Sequence, residues 1–172
     1  PRLMRILVTG GHGQLARALE GAWAGGDAEL LCLGRDPFDL ESPEAMRRVL
    51  ESLAPQVIIN AGAHTQVDRC ESEPDRALRL NGTAVGELAD WCAGRNALLV
   101  QISTDYVFDG QGRRPYREDD PTAPATVYGR TKLEGERQAA RAPEHLIIRT
   151  SWLYEAWGKN FLLTMLNAAR QG

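Results

Sequence analysis

Five short apolar runs recur along the chain with helix-like segments between them, and this alternation constrains the fold more than any other feature. The runs cover residues 4–9, 29–33, 56–60, 97–103 and 145–150. Each is continuously apolar rather than alternating, which is typical of parallel strands covered on both faces. The sequence therefore predicts an α/β fold built on a doubly wound parallel sheet.

The segments between the apolar runs have helical periodicity. Residues 14–23, 74–92 and 127–141 form three such segments, and Ser42-Pro43 opens a fourth as N-cap and first helical residue. Right-handed crossovers then favour a Rossmann-like sheet of order 3-2-1-4-5, in which the fourth strand lies beside the first. The sequence closes on a helix-like segment at residues 161–169.

Composition and charge narrow the class of ligand. The 172 residues are 43% hydrophobic and 25% charged, which is typical of one globular domain, and the net charge is -3. We therefore expect small-molecule ligands, with no nucleic acid and no membrane as partners. Three widely spaced cysteines and no apolar leader segment predict reduced thiols and a cytoplasmic protein. Three scattered histidines predict no metal site.

A glycine-rich turn follows the first strand. It fits G-x-x-G-x-x-A from Gly10, or G-x-G-x-x-A from Gly11, with Gly13 at the start of the next helix. Small residues let the backbone approach a pyrophosphate, and the helix N-terminus offers free N–H groups to it. At this place in a β-α repeat, the turn predicts a dinucleotide site rather than an unoccupied strand-to-helix turn.

The ends of the second and third strands carry the other residues that we expect to contact a dinucleotide. Arg35 fits the 2'-phosphate of NADPH, whereas Asp36 fits the free hydroxyl of NADH, so the choice of cofactor stays open. A solvated charged turn explains both residues equally well. Asp39 and Leu40 are placed to border the adenine. After the third strand, room for a flat cofactor is left by Ala61, Gly62 and Ala63.

Tyr128 and Lys132 stand four residues apart on a predicted helix and so share one face. An ammonium group a few ångströms from a phenol lowers its pKa and makes it a better proton donor near neutrality. Thr104 lies at the carboxyl end of the fourth strand. We expect the hydroxyl, the phenol and the amine to converge beside a bound nicotinamide. Ser103 is an alternative to Thr104, because neighbouring strand residues face opposite ways.

These motifs resemble the extended short-chain dehydrogenase/reductase superfamily. Within it, ISTDYVFDG at 102–110, YGRTKLEGE at 128–136 and RTSWLY at 149–154 are similar to the dTDP-4-dehydrorhamnose reductase family. The resemblance implies that NADPH or NADH delivers hydride to the C4 ketone of a dTDP-sugar, dTDP-4-dehydro-L-rhamnose. It further implies that Tyr128 gives the proton, that Lys132 holds the nicotinamide ribose, and that Thr104 bonds the carbonyl oxygen.

The same resemblance assigns the remaining site residues. It implies sugar contacts from Asp105, Tyr106, Trp152 and Asn160 beside Thr104. It implies that the cofactor is lined by Gly10, Gly13, Gln14, Leu15, Arg35, Asp39, Leu40, Ala61, Gly62, Ala63, Tyr128 and Lys132. Ala16 replaces the third glycine of the fingerprint, a position that only sets helix-to-strand packing.

Family members continue into a smaller C-terminal substrate lobe. We therefore expect residues 1–172 to be the NAD(P)-binding Rossmann domain, the N-terminal part of a longer enzyme. A homodimer is one assembly that the full-length enzyme could form. One alternative is a nucleotide-sugar dehydratase or epimerase, although dehydratases resemble Thr-Asp-Glu where this chain has Tyr106. Another is a non-catalytic dinucleotide-binding protein similar to the regulatory subunit of methionine adenosyltransferase; RTSWLY favours the reductases.

Overall fold

The computed structural model describes residues 3–23, 26–156, 158 and 160–171. Five strands form one parallel sheet: β1 (Met4–Thr9), β2 (Ala28–Leu33), β3 (Val57–Asn60), β4 (Leu98–Thr104) and β5 (His145–Thr150). Their order across the sheet is β2-β1-β3-β4-β5. The predicted fold class, a doubly wound Rossmann-like parallel sheet, is confirmed.

The predicted order 3-2-1-4-5 is wrong, because β3 pairs with β1 and separates it from β4. A hydrogen-bonded row of buried side chains explains this arrangement. Thr9 donates from Oγ1 to Asn60 Oδ1 at 2.6 Å, and Asn60 donates from Nδ2 to Gln101 Oε1 at 2.7 Å. These residues are partners in the strand register, so the row forms only with β3 between β1 and β4. Both strand orders have the same alternation of strands and helices along the chain, so this alternation cannot distinguish between them.

Among the described residues, α-helices connect the strands or follow them: α1 (Gln14–Ala22), α2 (Pro43–Leu53), α3 (Val67–Ser72), α4 (Pro74–Leu78), α5 (Ala84–Ala93), α6 (Val127–Ala139) and α7 (Phe161–Gln171). The predicted cap of α2 is confirmed, since Ser42 Oγ accepts from the Ala45 N–H at 3.2 Å. A π-helical turn, Arg79–Thr83, joins α4 to α5 within the segment predicted as one helix. Such turns often mark functional sites.

Burial is concentrated in β1, β3 and β4 and in the helices α5 and α6. Leu7, Ile58 and Leu99 of the central strands are fully buried and share one apolar core with Leu88 of α5. By contrast, α7 contains no buried residue among those described. In residues 3–23, 26–156, 158 and 160–171 we find no helix with the length and apolar character needed to cross a membrane.

Candidate active site

A cavity of about 610 Å³ lies at the carboxyl ends of the strands, where open α/β sheets bind ligands. It brings together most of the residues predicted to contact a dinucleotide. Its lining includes Gly10, Gly13, Gln14, Leu15, Arg35, Ala61, Gly62, Ala63, Tyr128 and Lys132. A larger groove of about 750 Å³ lies between α5 and α6 and contains none of the predicted site residues.

The glycine turn shapes one side of this cavity. Gly10 has φ +68°, and a Cβ there would stand 2.8 Å from the Cα of Gly62, so only glycine fits between the two strand ends. Gly13 is the N-cap of α1, and within the described part of the chain no side chain caps this helix. A close backbone approach beside an uncapped helix N-terminus suits the pyrophosphate of a dinucleotide.

At the end of β2 the large cavity adjoins a smaller one of about 160 Å³. Asp39 and Leu40 line the small cavity, and Arg35 lines both. Asp36, the acid considered for the ribose, lines neither cavity. Arg35 instead bonds two other acids: Asp39, whose Oδ2 accepts from Arg35 Nε at 3.1 Å, and Glu41, whose Oε2 accepts from Arg35 Nη2 at 2.5 Å.

The reacting end is built by β4 and α6. Tyr128 stands in the first turn of α6 and interacts with the Thr104 hydroxyl at the end of β4. The two elements approach closely because residue 129 is glycine, where a Cβ would lie within van der Waals overlap of the Tyr106 carbonyl oxygen. The ring of Tyr106 packs edge-on against that of Tyr128, with 5.4 Å between the centroids. Thr104 and Tyr128 thus lie near each other, at the end of β4 and in the first turn of α6.

Lys132 is 4% exposed and donates from Nζ to the Ile102 carbonyl oxygen at 2.5 Å. Burial lowers the pKa of Lys132 to about 8, against an opposing effect of Glu136. Burial also raises the pKa of the Tyr128 phenol, although its contact with Thr104 acts in the other direction. The expectation that Lys132 lowers the phenol pKa is not met here, because its ammonium group bonds a carbonyl and desolvation dominates.

The two candidate hydroxyls of β4 have different partners. Ser103 donates from Oγ to the buried carboxylate of Glu136 at 2.6 Å. Glu136 in turn accepts two bonds from Arg149, from Nε and Nη2, each at 2.8 Å. Thr104 instead donates to Asp105 Oδ1 at 3.0 Å and lies near Tyr128, where it acts to lower the pKa of the phenol. The partners of the two hydroxyls favour Thr104, whereas the lining of the large cavity includes Ser103 and not Thr104.

The large cavity is lined by none of the residues expected beside the sugar, which are Thr104, Asp105, Tyr106, Trp152 and Asn160. Trp152 is 71% exposed and packs edge-on against Phe161, with 4.9 Å between the ring centroids. Asn160 precedes α7, and its Oδ1 accepts from the Leu163 N–H at 3.0 Å. Asp105 stays close to the reacting end, where its Oδ2 accepts from Ser151 Oγ at 2.7 Å.

Sequence reasoning missed a buried amide that supports this end of the cavity. Asn81, in the π-helical turn, accepts from the His64 N–H at 2.8 Å and donates to the His64 carbonyl at 3.1 Å. It also donates to Thr131 Oγ1 at 3.1 Å, next to Lys132 on α6. No pattern in the sequence marks Asn81, because its partners, His64 and Thr131, come from two other segments of the chain. The buried Glu136 was missed for the same reason.

Comparison with known proteins agrees with these motifs. The chain matches the family model described as RmlD substrate binding domain over residues 4–172. A dTDP-4-dehydrorhamnose reductase of Sinorhizobium fredii is 47% identical over 167 residues, covering 96% of this chain and 56% of that protein. A probable dTDP-4,6-dihydroxy-2-methyloxan-3-one 4-ketoreductase of Streptomyces antibioticus is 40% identical, covering 98% of this chain and 58% of that protein.

A solved structure gives the same result. The crystal structure of dTDP-4-dehydrorhamnose reductase from Bacillus anthracis in complex with NADP superposes with a TM-score of 0.94 at 31% identity. The match covers 99% of this chain and 61% of that one. This chain thus spans little more than half the length of the curated relatives. It belongs to the RmlD substrate binding domain family, as the resemblance of its motifs to the dTDP-4-dehydrorhamnose reductases had indicated.

Proposed function

We propose that this chain is the cofactor-binding part of an NAD(P)H-dependent dTDP-4-dehydrorhamnose reductase. The observation that carries the proposal is that one cavity runs from the glycine turn at Gly10 to Tyr128 and Lys132. A reductase needs a dinucleotide site and a proton donor side by side, and this cavity has candidates for both. The relatives named reductases, and the NADP complex of one of them, support the same assignment.

The roles of the side chains follow from their surroundings. NADPH or NADH would supply hydride to the C4 carbonyl, and the protein would supply a proton to the oxygen. Tyr128 would give this proton; burial raises its pKa, so the phenol is protonated at neutral pH, although the same burial makes it a weaker acid. Thr104 would bond the carbonyl oxygen. Lys132, which is cationic below a pH of about 8, lines the same cavity and would hold the nicotinamide ribose.

We further propose that residues 1–172 form the N-terminal NAD(P)-binding domain, with the C-terminal substrate lobe outside this chain. Asp105 and Tyr106 already lie at the reacting end. Contacts from Trp152 and Asn160 to the sugar would require these two side chains to leave their present partners. All three cysteines are free thiols, which suits the proposed cytoplasmic location. Homodimer formation by the longer enzyme stays a prediction.

The test measures cofactor oxidation at 340 nm in the natural polypeptide that carries this sequence. The substrate is dTDP-4-dehydro-L-rhamnose, and Tyr128→Phe is the informative variant because it removes only the phenolic oxygen. We expect turnover to fall by about 10²- to 10⁴-fold while cofactor affinity stays close to wild type. Ser103→Ala is the matched variant, because it removes a neighbouring hydroxyl that faces Glu136 instead of Tyr128.

Three outcomes decide between functions. Oxidation that depends on Tyr128 supports the reductase. Cofactor binding without oxidation overturns it and favours the non-catalytic alternative. Faster turnover with another dTDP-4-keto sugar, such as the substrate named for the Streptomyces antibioticus relative, keeps the reductase chemistry and corrects the substrate.

A further inference from the structure

The end of β2 carries a connected set of ion pairs that the proposed chemistry does not use. Arg35 donates from Nη2 to Glu41 Oε2 at 2.5 Å and from Nε to Asp39 Oδ2 at 3.1 Å. Arg76 of α4 donates two hydrogen bonds to the same Glu41 carboxylate, from Nε at 2.9 Å and from Nη2 at 3.1 Å. One carboxylate is therefore shared by two guanidinium groups.

This set surrounds the place where a dinucleotide presents its adenosine ribose. Arg35, Asp39, Glu41 and Arg76 all line the cavity of about 160 Å³ beside the glycine turn. In doubly wound folds, residues that follow the second strand contact the ribose 2' position, where NADPH carries a phosphate and NADH a hydroxyl. The ion pairs thus stand where the two cofactors differ.

The charges favour one cofactor over the other. The Arg35 side chain is 66% exposed, so its bonds to the two carboxylates are weak and exchangeable. A 2'-phosphate brings nearly two negative charges and must compete with Glu41 and Asp39 for that guanidinium. A 2'-hydroxyl brings no charge and can itself donate to a carboxylate. Only the phosphate therefore requires Arg35 to change partners.

We propose that Glu41, held in place by Arg76, is a specificity determinant that occupies Arg35 and biases the site toward NADH over NADPH. The inference rests on the proposed function, because it assumes that the adenosine half of a nicotinamide dinucleotide binds here. Arg76 has a second role in this arrangement. The Arg76 guanidinium bonds both oxygens of the Glu41 carboxylate and offsets its charge. Arg35 can therefore leave Glu41 and bind a 2'-phosphate while Glu41 stays paired with Arg76.

Two variants should therefore change NADPH affinity in opposite directions. Glu41→Gln releases Arg35 and removes a repelling charge, so the Kd for NADPH should fall about three- to tenfold. Arg76→Gln leaves Glu41 with its full charge, so the Kd for NADPH should rise by a similar factor. For both variants the Kd for NADH should change by less than about twofold.

The experiment is isothermal titration calorimetry of the chain with NADPH, NADH, 2',5'-ADP and 5'-AMP. Glu51→Gln is the matched control, because it removes the same charge from an exposed ion pair with Arg95 that lines neither cofactor cavity. Circular dichroism melts establish that each variant is folded. The two adenosine fragments isolate the effect of the 2'-phosphate from contacts of the nicotinamide.

Opposite shifts of the NADPH and 2',5'-ADP affinities, absent in Glu51→Gln, support the inference. The inference is overturned if Glu41→Gln binds both dinucleotides with the wild-type ratio of the Kd for NADPH to the Kd for NADH. That result would leave the reductase proposal intact. Equal shifts in Glu41→Gln and Glu51→Gln would also overturn it, because a general field effect would then explain them. Binding of neither dinucleotide to the wild type would overturn both proposals.

Discussion

The two ends of the cofactor cavity use the same kinds of charged side chain at very different depths. At the reacting end, Lys132 is 4% and Glu136 5% exposed. At the ribose end, the Arg35 side chain is 66% exposed. Charges in a buried site interact strongly and are expensive to leave unpaired, whereas exposed pairs are screened by water. The comparison indicates that one end is rigid and sensitive to substitution and the other is adjustable.

The largest effect should come from breaking the buried pair. Glu136→Ala leaves Arg149 without its carboxylate and Ser103 without its acceptor. We expect a loss of about 3 kcal/mol in the free energy of unfolding, measured by urea denaturation. The same change at the exposed Glu51, which pairs with Arg95, should not be resolvable. Equal losses at both positions would show that burial does not separate the two classes.

A second test targets the close contact that places Tyr128. Gly129→Ala puts a methyl group against the Tyr106 carbonyl oxygen, so α6 must move away from the end of β4. We expect a loss of about 2 kcal/mol in stability and a larger fractional loss of turnover than of cofactor affinity. Gly21→Ala is the matched control, because nothing lies within 4 Å of a Cβ at that position. Unchanged turnover in Gly129→Ala would contradict the proposed placement.

The third test should raise the free energy of unfolding, whereas the first two should lower it. Lys132 has its pKa lowered from 10.5 to about 8, so at pH 7 the folded protein carries an unfavourably buried charge. Lys132→Met should abolish activity yet raise stability at pH 7 by about 1 to 2 kcal/mol, since the lost bond to Ile102 offsets part of the gain.

The pH dependence checks the sign of this prediction. Between a pH of about 8 and 10.5 the unfolded wild type binds more protons than the folded protein, so wild-type stability rises there relative to the variant. The difference between the urea midpoints of the wild type and Lys132→Met should therefore be smaller at pH 10 than at pH 7. A constant difference across this range would mean that Lys132 is not destabilised by burial.

The smallest effect is expected at the exposed end. Arg35→Gln removes the bonds to Asp39 and Glu41, but Arg76 still pairs with Glu41. The urea midpoint should stay within error of wild type, while the affinity for 2',5'-ADP falls. A large loss of stability would show that this end of the cavity is as rigid as the other.

Local features of the site were predictable because short segments encode them. Thr104 does end β4, and Ser42 does cap α2. The i, i+4 spacing places Tyr128 and Lys132 on one side of α6, where both line the cavity. Each of these features depends on backbone geometry within a few residues. The glycine turn likewise lies between β1 and α1 as expected.

Features that join distant segments were not predictable in the same way. The order of the strands depends on Thr9, Asn60 and Gln101 meeting across β1, β3 and β4. Asn81 and Glu136 acquire their importance from partners on other elements. Trp152 and Asn160, expected beside the sugar, lie against Phe161 and at the start of α7 instead.

The sequence by itself predicted the α/β class, the glycine turn, and a phenol and an amine four residues apart on one helix. Periodicity and turn chemistry act over a few residues, so they can be recognised without knowing the partners. Only the tertiary structure decided which strand lies beside β1, which hydroxyl of β4 bonds Glu136, and which carboxylates surround Arg35. These outcomes depend on pairings between residues far apart in the chain. They also depend on burial, which sets how strongly charged groups interact.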